Sequence, residues 1–176
     1  MNNKIDNNGY KKEHKYNLFQ SFAFAFHGIW FGLKWERNLR IHLCTAVIVS
    51  YFSARYYDFS KAEIAALILA MAMVITAELI NTAIEKAADL KSPEWNPLAK
   101  FAKDVAAAAV LVASFASLVV GIVLLWDKDI LLTILRDILN RLYIWIPILA
   151  VMLGLIFIPE MDLKTRLNGK ENKNDH

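Results

Sequence analysis

The sequence predicts an all-α integral membrane fold, and three observations carry that expectation. The chain is 57% hydrophobic with a mean hydropathy of +0.34, above the roughly 45–50% apolar share of soluble domains. Its apolar residues are bunched. Residues 105–126, VAAAAVLVASFASLVVGIVLLW, hold no charge and no proline, long enough to cross a hydrocarbon core of about 30 Å. The basic residues gather on alternate connections between the apolar runs, as expected of a multi-pass protein. At 176 residues there is room for one domain of ordinary size.

Each element follows in order. Residues 1–16, MNNKIDNNGYKKEHKY, form a polar, basic arm with neither the apolar core nor the cleavage site of a signal peptide. In NLFQSFAFAFHGIWFGLK (17–34), Phe19, Phe22, Phe26, Trp30 and Leu33 recur at helical spacing. That spacing predicts an amphipathic surface helix with aromatics at headgroup depth. After the polar passage WERNLRIH (35–42), a first span is expected at about 41–57, ending in the aromatic RYY. The turn DFSKAE offers Asp58 and Ser60 as caps for a second span at about 61–88. KSPEWNPLAKFAK (91–103) carries two prolines and ends that helix. A third span is expected at about 104–126.

Beyond it, residues 127–141, DKDILLTILRDILNR, read as an interfacial amphipathic connector. LYIWIPILAVMLGLIFIP (142–159) is the candidate fourth span, long enough despite Pro147, and 160–176 reads as a disordered basic tail. In this layout fourteen of the twenty Lys and Arg residues lie on one side, in residues 1–42, the 91–103 loop and the tail. Both termini are therefore expected in the cytoplasm.

Several chemistries are excluded. The single Cys44 permits no intrachain disulfide and reads as a packing residue. No GxxxxGK[ST] or GxGxxG occurs, and His14, His27, His42 and His176 make no metal spacing with Cys44. Soluble nucleotide-binding folds are thereby ruled out. No nucleic-acid partner is expected.

The chemistry-bearing run is ELINTAIEKAADLK (78–91). At about 100° per residue, Glu78, Asn81, Glu85 and Asp89 share one helical face. Glu85 and Asp89 alone read as the wet end of a helix leaving the bilayer. Glu78 lies ~16 Å deeper than Asp89, and a carboxylate inside a span is costly unless it faces protein or water, which marks a functional position. An ion pathway places polar groups near the midplane. Here the stripe climbs to the surface, where Lys91, Lys103 and Asp104 stand. That arrangement suits chemistry on a lipid headgroup with a water-soluble partner arriving from the cytoplasm. Carboxylates and an amide are the hard oxygen ligands Mg²⁺ takes alongside phosphates, and a lysine offsets phosphate charge. Taken alone, Lys103 and Asp104 read equally as a snorkelling lysine and a helix cap, and Glu36 as a solvated interfacial charge.

Together these residues carry a resemblance. AELINTAIEKAADL (77–90) followed by NPLAKFAKDVAAAAVLVAS (96–114) closely resembles the small integral-membrane diacylglycerol kinase/undecaprenol kinase family of bacteria, and ERNLRIH (36–42) is similar to its upstream element. The resemblance covers about 17–126. It implies a three-span kinase core with an N-terminal amphipathic surface helix, assembled as a homotrimer with active sites between subunits. It also implies transfer of the γ-phosphate of MgATP to a lipid hydroxyl. By position, Glu78 matches the family's general base, and Glu36 and Glu85 its metal-binding carboxylates. Asn81, Asp89, Lys103 and Asp104 match the polar residues that, with Glu36 and Glu85, surround the nucleotide. ERN-x-RIH and NPLAK look more like the undecaprenol branch. The alternatives are a diacylglycerol kinase making phosphatidic acid and a non-catalytic membrane subunit. The expected location is the bacterial inner membrane. The departure from the family is residues 127–176, whose extra span would return the C-terminus to the cytoplasm.

Overall fold

The computed structural model describes residues 17–91 and 95–157. All regular structure among them is helical: α1 (Leu18–Trp35), α2 (Arg37–Tyr56), α3 (Lys61–Lys91), α4 (Pro97–Leu125), α5 (Lys128–Asn140) and α6 (Leu142–Ile156). The expected polar arm, residues 1–16, and the basic tail, 160–176, lie outside the described residues. Two compact units are present, divided between Phe31 and Gly32. In the first, α1 leaves every residue from Leu18 to Trp30 exposed, Phe19, Phe22, Phe26 and Trp30 among them.

In the second unit α3 is the longest element. Ser60 and Glu63 form a reciprocal capping box at its start: the Ser60 N–H and hydroxyl donate to Glu63 Oε2 at 2.8 and 2.6 Å, and Glu63 N–H donates back to Ser60 Oγ at 3.4 Å. From there α3 runs 31 residues, about 46 Å, half as long again as a hydrocarbon core. Its carboxylate-bearing end therefore emerges from the apolar layer. α4 has 29 residues, and α3 and α4 are both long and apolar enough to cross a membrane. Leu111, Val112 and Phe115 of α4 are exposed, as side chains facing hydrocarbon are.

The helices at the expected first and fourth spans fall short of that criterion, for different reasons. α2 has 20 residues, length enough, but Arg37, Arg40, His42 and Arg55 lower its hydropathy. α6, which covers 142–156 of the expected 142–159, has only 15 residues, about 22 Å. It passes with α5 only as one span bent by 93°.

α4 also begins earlier than the 104 read from the sequence. Asn96 caps it, its side chain accepting from Leu98 N at 2.9 Å and Ala99 N at 3.3 Å, and Pro97 occupies the first turn where no N–H is needed. Lys103 and Asp104 consequently sit well inside the helix and do not cap it.

α3 and α4 form an antiparallel hairpin, with α2 packed on α3. Apart from Trp35, the buried apolar residues are small or branched: Leu39, Leu67, Ala70, Val74, Ala106 and Ala113. Alanines at such contacts let helix backbones approach closely. α5 and α6 dock on α2. Trp145 stacks on Phe52 with ring centroids 5.4 Å apart, and Tyr56 donates its hydroxyl hydrogen to Asp137. At the other end of α2, the buried Arg40 donates to the carbonyls of Leu33, Lys34 and Ile156, each at 3.2 Å.

Candidate active site

The site grows from the end of α3. Glu78 is 4% exposed and Asn81 8%, so both continue the protein-facing side of α3 that Leu67, Ala70 and Val74 begin. Helical spacing places Glu85 one turn beyond Asn81, and Asn81 Nδ2 donates to Glu85 Oε1 at 3.0 Å. That bond orients one carboxylate and leaves Asn81 Oδ1 buried without a hydrogen-bond partner. Thr82, on the same turns, satisfies its hydroxyl on the Glu78 carbonyl at 2.9 Å.

α2 supplies two further groups. Glu36 occupies the N-cap position in extended backbone but makes no capping bond. Its carboxylate instead faces Lys86 of α3, Oε1 to Nζ at 3.0 Å. His42 brings Nε2 within 3.3 Å of Glu78 Oε1. Lys86 also lies in the field of Glu85 and Asp89, and Glu78 in that of Glu85 and Glu36. The result is a compact cluster of carboxylates with one lysine and one histidine among them.

Toward the hairpin's end, Lys103 Nζ meets Asp89 Oδ1 at 2.5 Å, joining α4 to α3. Asp104 is not part of this group. It is exposed and pairs with Lys100 one turn back, at 3.3 Å. Of the seven residues read from the sequence, Glu36, Glu78, Asn81 and Glu85 thus come together, Asp89 and Lys103 form an adjoining pair, and Asp104 stands apart. Sequence reasoning missed His42 and Lys86. Both carried a visible signal: an ionisable residue at the head of an apolar run, and a lone cation inside a carboxylate stripe.

No group of three or more His, Cys, Asp or Glu side chains is arranged to hold a metal ion among the described residues. Magnesium commonly takes only one or two carboxylates, with phosphates and water completing its shell. Glu36, Glu85 and the unpartnered Asn81 Oδ1 are donors of that kind, so the residues present fit it.

Beside the cluster, between α2, α3 and α4, lies a largely apolar cavity of about 460 Å³ with His42 in its lining. The site therefore has two contrasting neighbours, a charged surface and an apolar hollow, with Glu78 adjoining His42 between them.

Comparison with known proteins gives this geometry a context. Residues 23–125 match the family described as prokaryotic diacylglycerol kinase. A diacylglycerol kinase of Synechocystis is 40% identical over 106 residues, 60% of this chain and 60% of that protein. The undecaprenol kinase of Bacillus subtilis is 36% identical over 120 residues, 66% of this chain and 97% of that protein. The diacylglycerol kinase of Escherichia coli K12 is 32% identical over 82 residues, 47% of this chain and 67% of that protein. The matched region takes in every residue of the cluster and of the Asp89–Lys103 pair, and it stops where α4 ends. The chain belongs to the prokaryotic diacylglycerol kinase family, a family of membrane lipid kinases.

Proposed function

We propose that the chain is an ATP-dependent kinase that phosphorylates the hydroxyl of a membrane lipid alcohol at the cytoplasmic face of the bacterial inner membrane. One observation carries this reading: a carboxylate, Glu78, buried within a membrane-spanning helix, with an apolar cavity on one side and a charged cluster on the other. A carboxylate at that depth meets a lipid hydroxyl and is out of reach of soluble acceptors.

In this mechanism Glu78 accepts the hydroxyl proton as the lipid oxygen attacks the γ-phosphorus and the bond to the bridging oxygen of ADP breaks. Asn81 holds Glu85 through the 3.0 Å bond, and Lys103, steered by Asp89, offsets charge on the phosphates. Glu36 and Glu85 would hold Mg²⁺, which supplies charge neutralisation on the transferring group. The nucleotide approaches from the cytoplasm along Glu36, Asn81, Glu85, Asp89 and Lys103. Within one chain Asp104 pairs with Lys100, and the nucleotide contact that the family resemblance implies for it would be made across the homotrimer's subunit boundary.

Undecaprenol is the favoured acceptor. The ERNLRIH element supports it, as does the match over 97% of the Bacillus protein named undecaprenol kinase. Diacylglycerol is the second reading, supported by the name of the Synechocystis relative. A competition assay separates them. The protein in nanodiscs with both alcohols and γ-labelled ATP is expected to label undecaprenol severalfold faster, and preferential labelling of diacylglycerol would reverse the assignment.

A further inference from the structure

We infer that the C-terminal extension, α5 and α6, is a strut that sets the position of Glu36, with Arg40 as the positioning residue that joins the two. This rests on the kinase reading, in which Glu36 holds magnesium, and brings to the site a part of the chain that lies beyond the family region.

That region ends at residue 125, and α5 begins at Lys128. The extension nevertheless fastens to α2 near both of that helix's ends. At one end Trp145 stacks on Phe52 at 5.4 Å and meets Tyr51 edge-on at 5.6 Å. Tyr56 donates there to Asp137, which also holds Arg141 at 3.2 Å. At the other end Arg40 donates to the Ile156 carbonyl at 3.2 Å. Arg40 and Phe52 are twelve residues apart on α2, and Trp145 and Ile156 eleven apart on α6. These separations correspond to about 18 and 17 Å of helix, so α6 runs antiparallel along α2 and ends beside the corner that carries Glu36.

Arg40 is the joint. It is buried, and it donates to the carbonyls of Leu33 and Lys34, in the last turn of α1, and of Ile156, the last residue of α6. The last carbonyls of a helix have no partner within it. One planar cation therefore caps two helix ends, each at the negative end of its dipole. Glu36 is the single residue between α1 and α2, in extended backbone, and its side chain makes no capping bond. It stands one helical turn before Arg40, whose N–H reaches the Glu36 carbonyl at 3.4 Å. A guanidinium held at α6 on one side and at Leu33 and Lys34 on the other fixes that corner, and with it the direction of the Glu36 carboxylate.

Phe157 provides a test that leaves Arg40, Glu36 and the kinase core intact. Its side chain is exposed, and its N–H donates to the Leu153 carbonyl at 2.9 Å. Phe157→Pro removes that donor and drives Ile156 out of helical backbone, which turns the Ile156 carbonyl away from Arg40. Phe157→Ala keeps the backbone as it is and should behave as the wild type. In nanodiscs, hydrogen–deuterium exchange of the Leu33–Arg40 peptide should quicken roughly fivefold or more in Phe157→Pro, with α3 and α4 protected as before. Mn²⁺ alone, titrated by the electron paramagnetic resonance of the free ion, should bind roughly three- to tenfold more weakly. The Mg²⁺ needed for half-maximal transfer should rise by the same factor, with the KM for the lipid alcohol unchanged. Unchanged exchange at the corner overturns the proposal, as does faster exchange throughout α3 and α4, which would make the bond merely structural. Mn²⁺ affinity that is unchanged or tighter despite a loosened corner also overturns it. If these shifts occur while the wild type phosphorylates neither lipid alcohol, the strut stands and the kinase reading falls.

Discussion

Lys86 Nζ stands 3.0 Å from Glu36 Oε1, which places a protein cation on a carboxylate that the proposed mechanism assigns to magnesium. The pair is partly exposed, so it can open without a large penalty. Lys86 competes with the metal for Glu36 in this arrangement. Lys86→Ala should lower the Mg²⁺ concentration for half-maximal transfer by roughly two- to fivefold. A magnesium titration of steady-state rates at saturating ATP checks it, and a raised requirement would instead assign Lys86 to the phosphates.

Asn81 is buried and donates to Glu85. Asn81→Leu removes that donor and leaves Glu85 less constrained beside Glu36 and Glu78. A cost of about 1–3 kcal/mol in stability is expected from the unsatisfied partner, with transfer reduced more than a hundredfold. Thermal unfolding in detergent and single-turnover rates measure the two effects separately.

Lys103 and Asp89 form an ion pair whose side chains are 36% and 61% exposed. Pairs of this exposure contribute about 0–1 kcal/mol to stability. Lys103→Ala should therefore unfold close to the wild-type temperature while the KM for ATP rises by roughly tenfold or more, the signature of a lost phosphate contact. Loss of stability without a change in KM would make the lysine structural.

Arg40 ties three backbone carbonyls together, two at the α1–α2 corner that carries Glu36 and one at the end of α6. Arg40→Ala should destabilise the fold by about 2–3 kcal/mol. Arg40→Lys should recover little of it, because an ammonium lacks the planar fork that reaches separate acceptors. Denaturant unfolding followed by tryptophan fluorescence reports the difference.

Much of this was legible in the sequence because it depends on local rules. The polar face of α3 follows from helical periodicity, and Ser60 was visible as a cap before Glu63 completed the box. The start of α4 was misplaced because two prolines in 91–103 suggested a loop throughout. Pro97 instead opens the helix behind the Asn96 cap. What periodicity could not supply is which residue of one helix meets which of another. Glu36 with Lys86, His42 with Glu78 and Arg40 with Ile156 all depend on how α2 is packed. Asp104 illustrates the same limit: its neighbour Lys103 reaches Asp89, while its own carboxylate turns to Lys100.

The central claim is that Glu78 serves as the base for phosphoryl transfer to a lipid hydroxyl. The most direct test is γ-phosphate transfer from ATP to undecaprenol by wild type and Glu78→Gln, with ATP binding measured on the same preparations. The expected result is transfer by the wild type, a loss of more than a thousandfold in the variant, and ATP affinity within about twofold. Transfer by Glu78→Gln at a rate near wild type would contradict it.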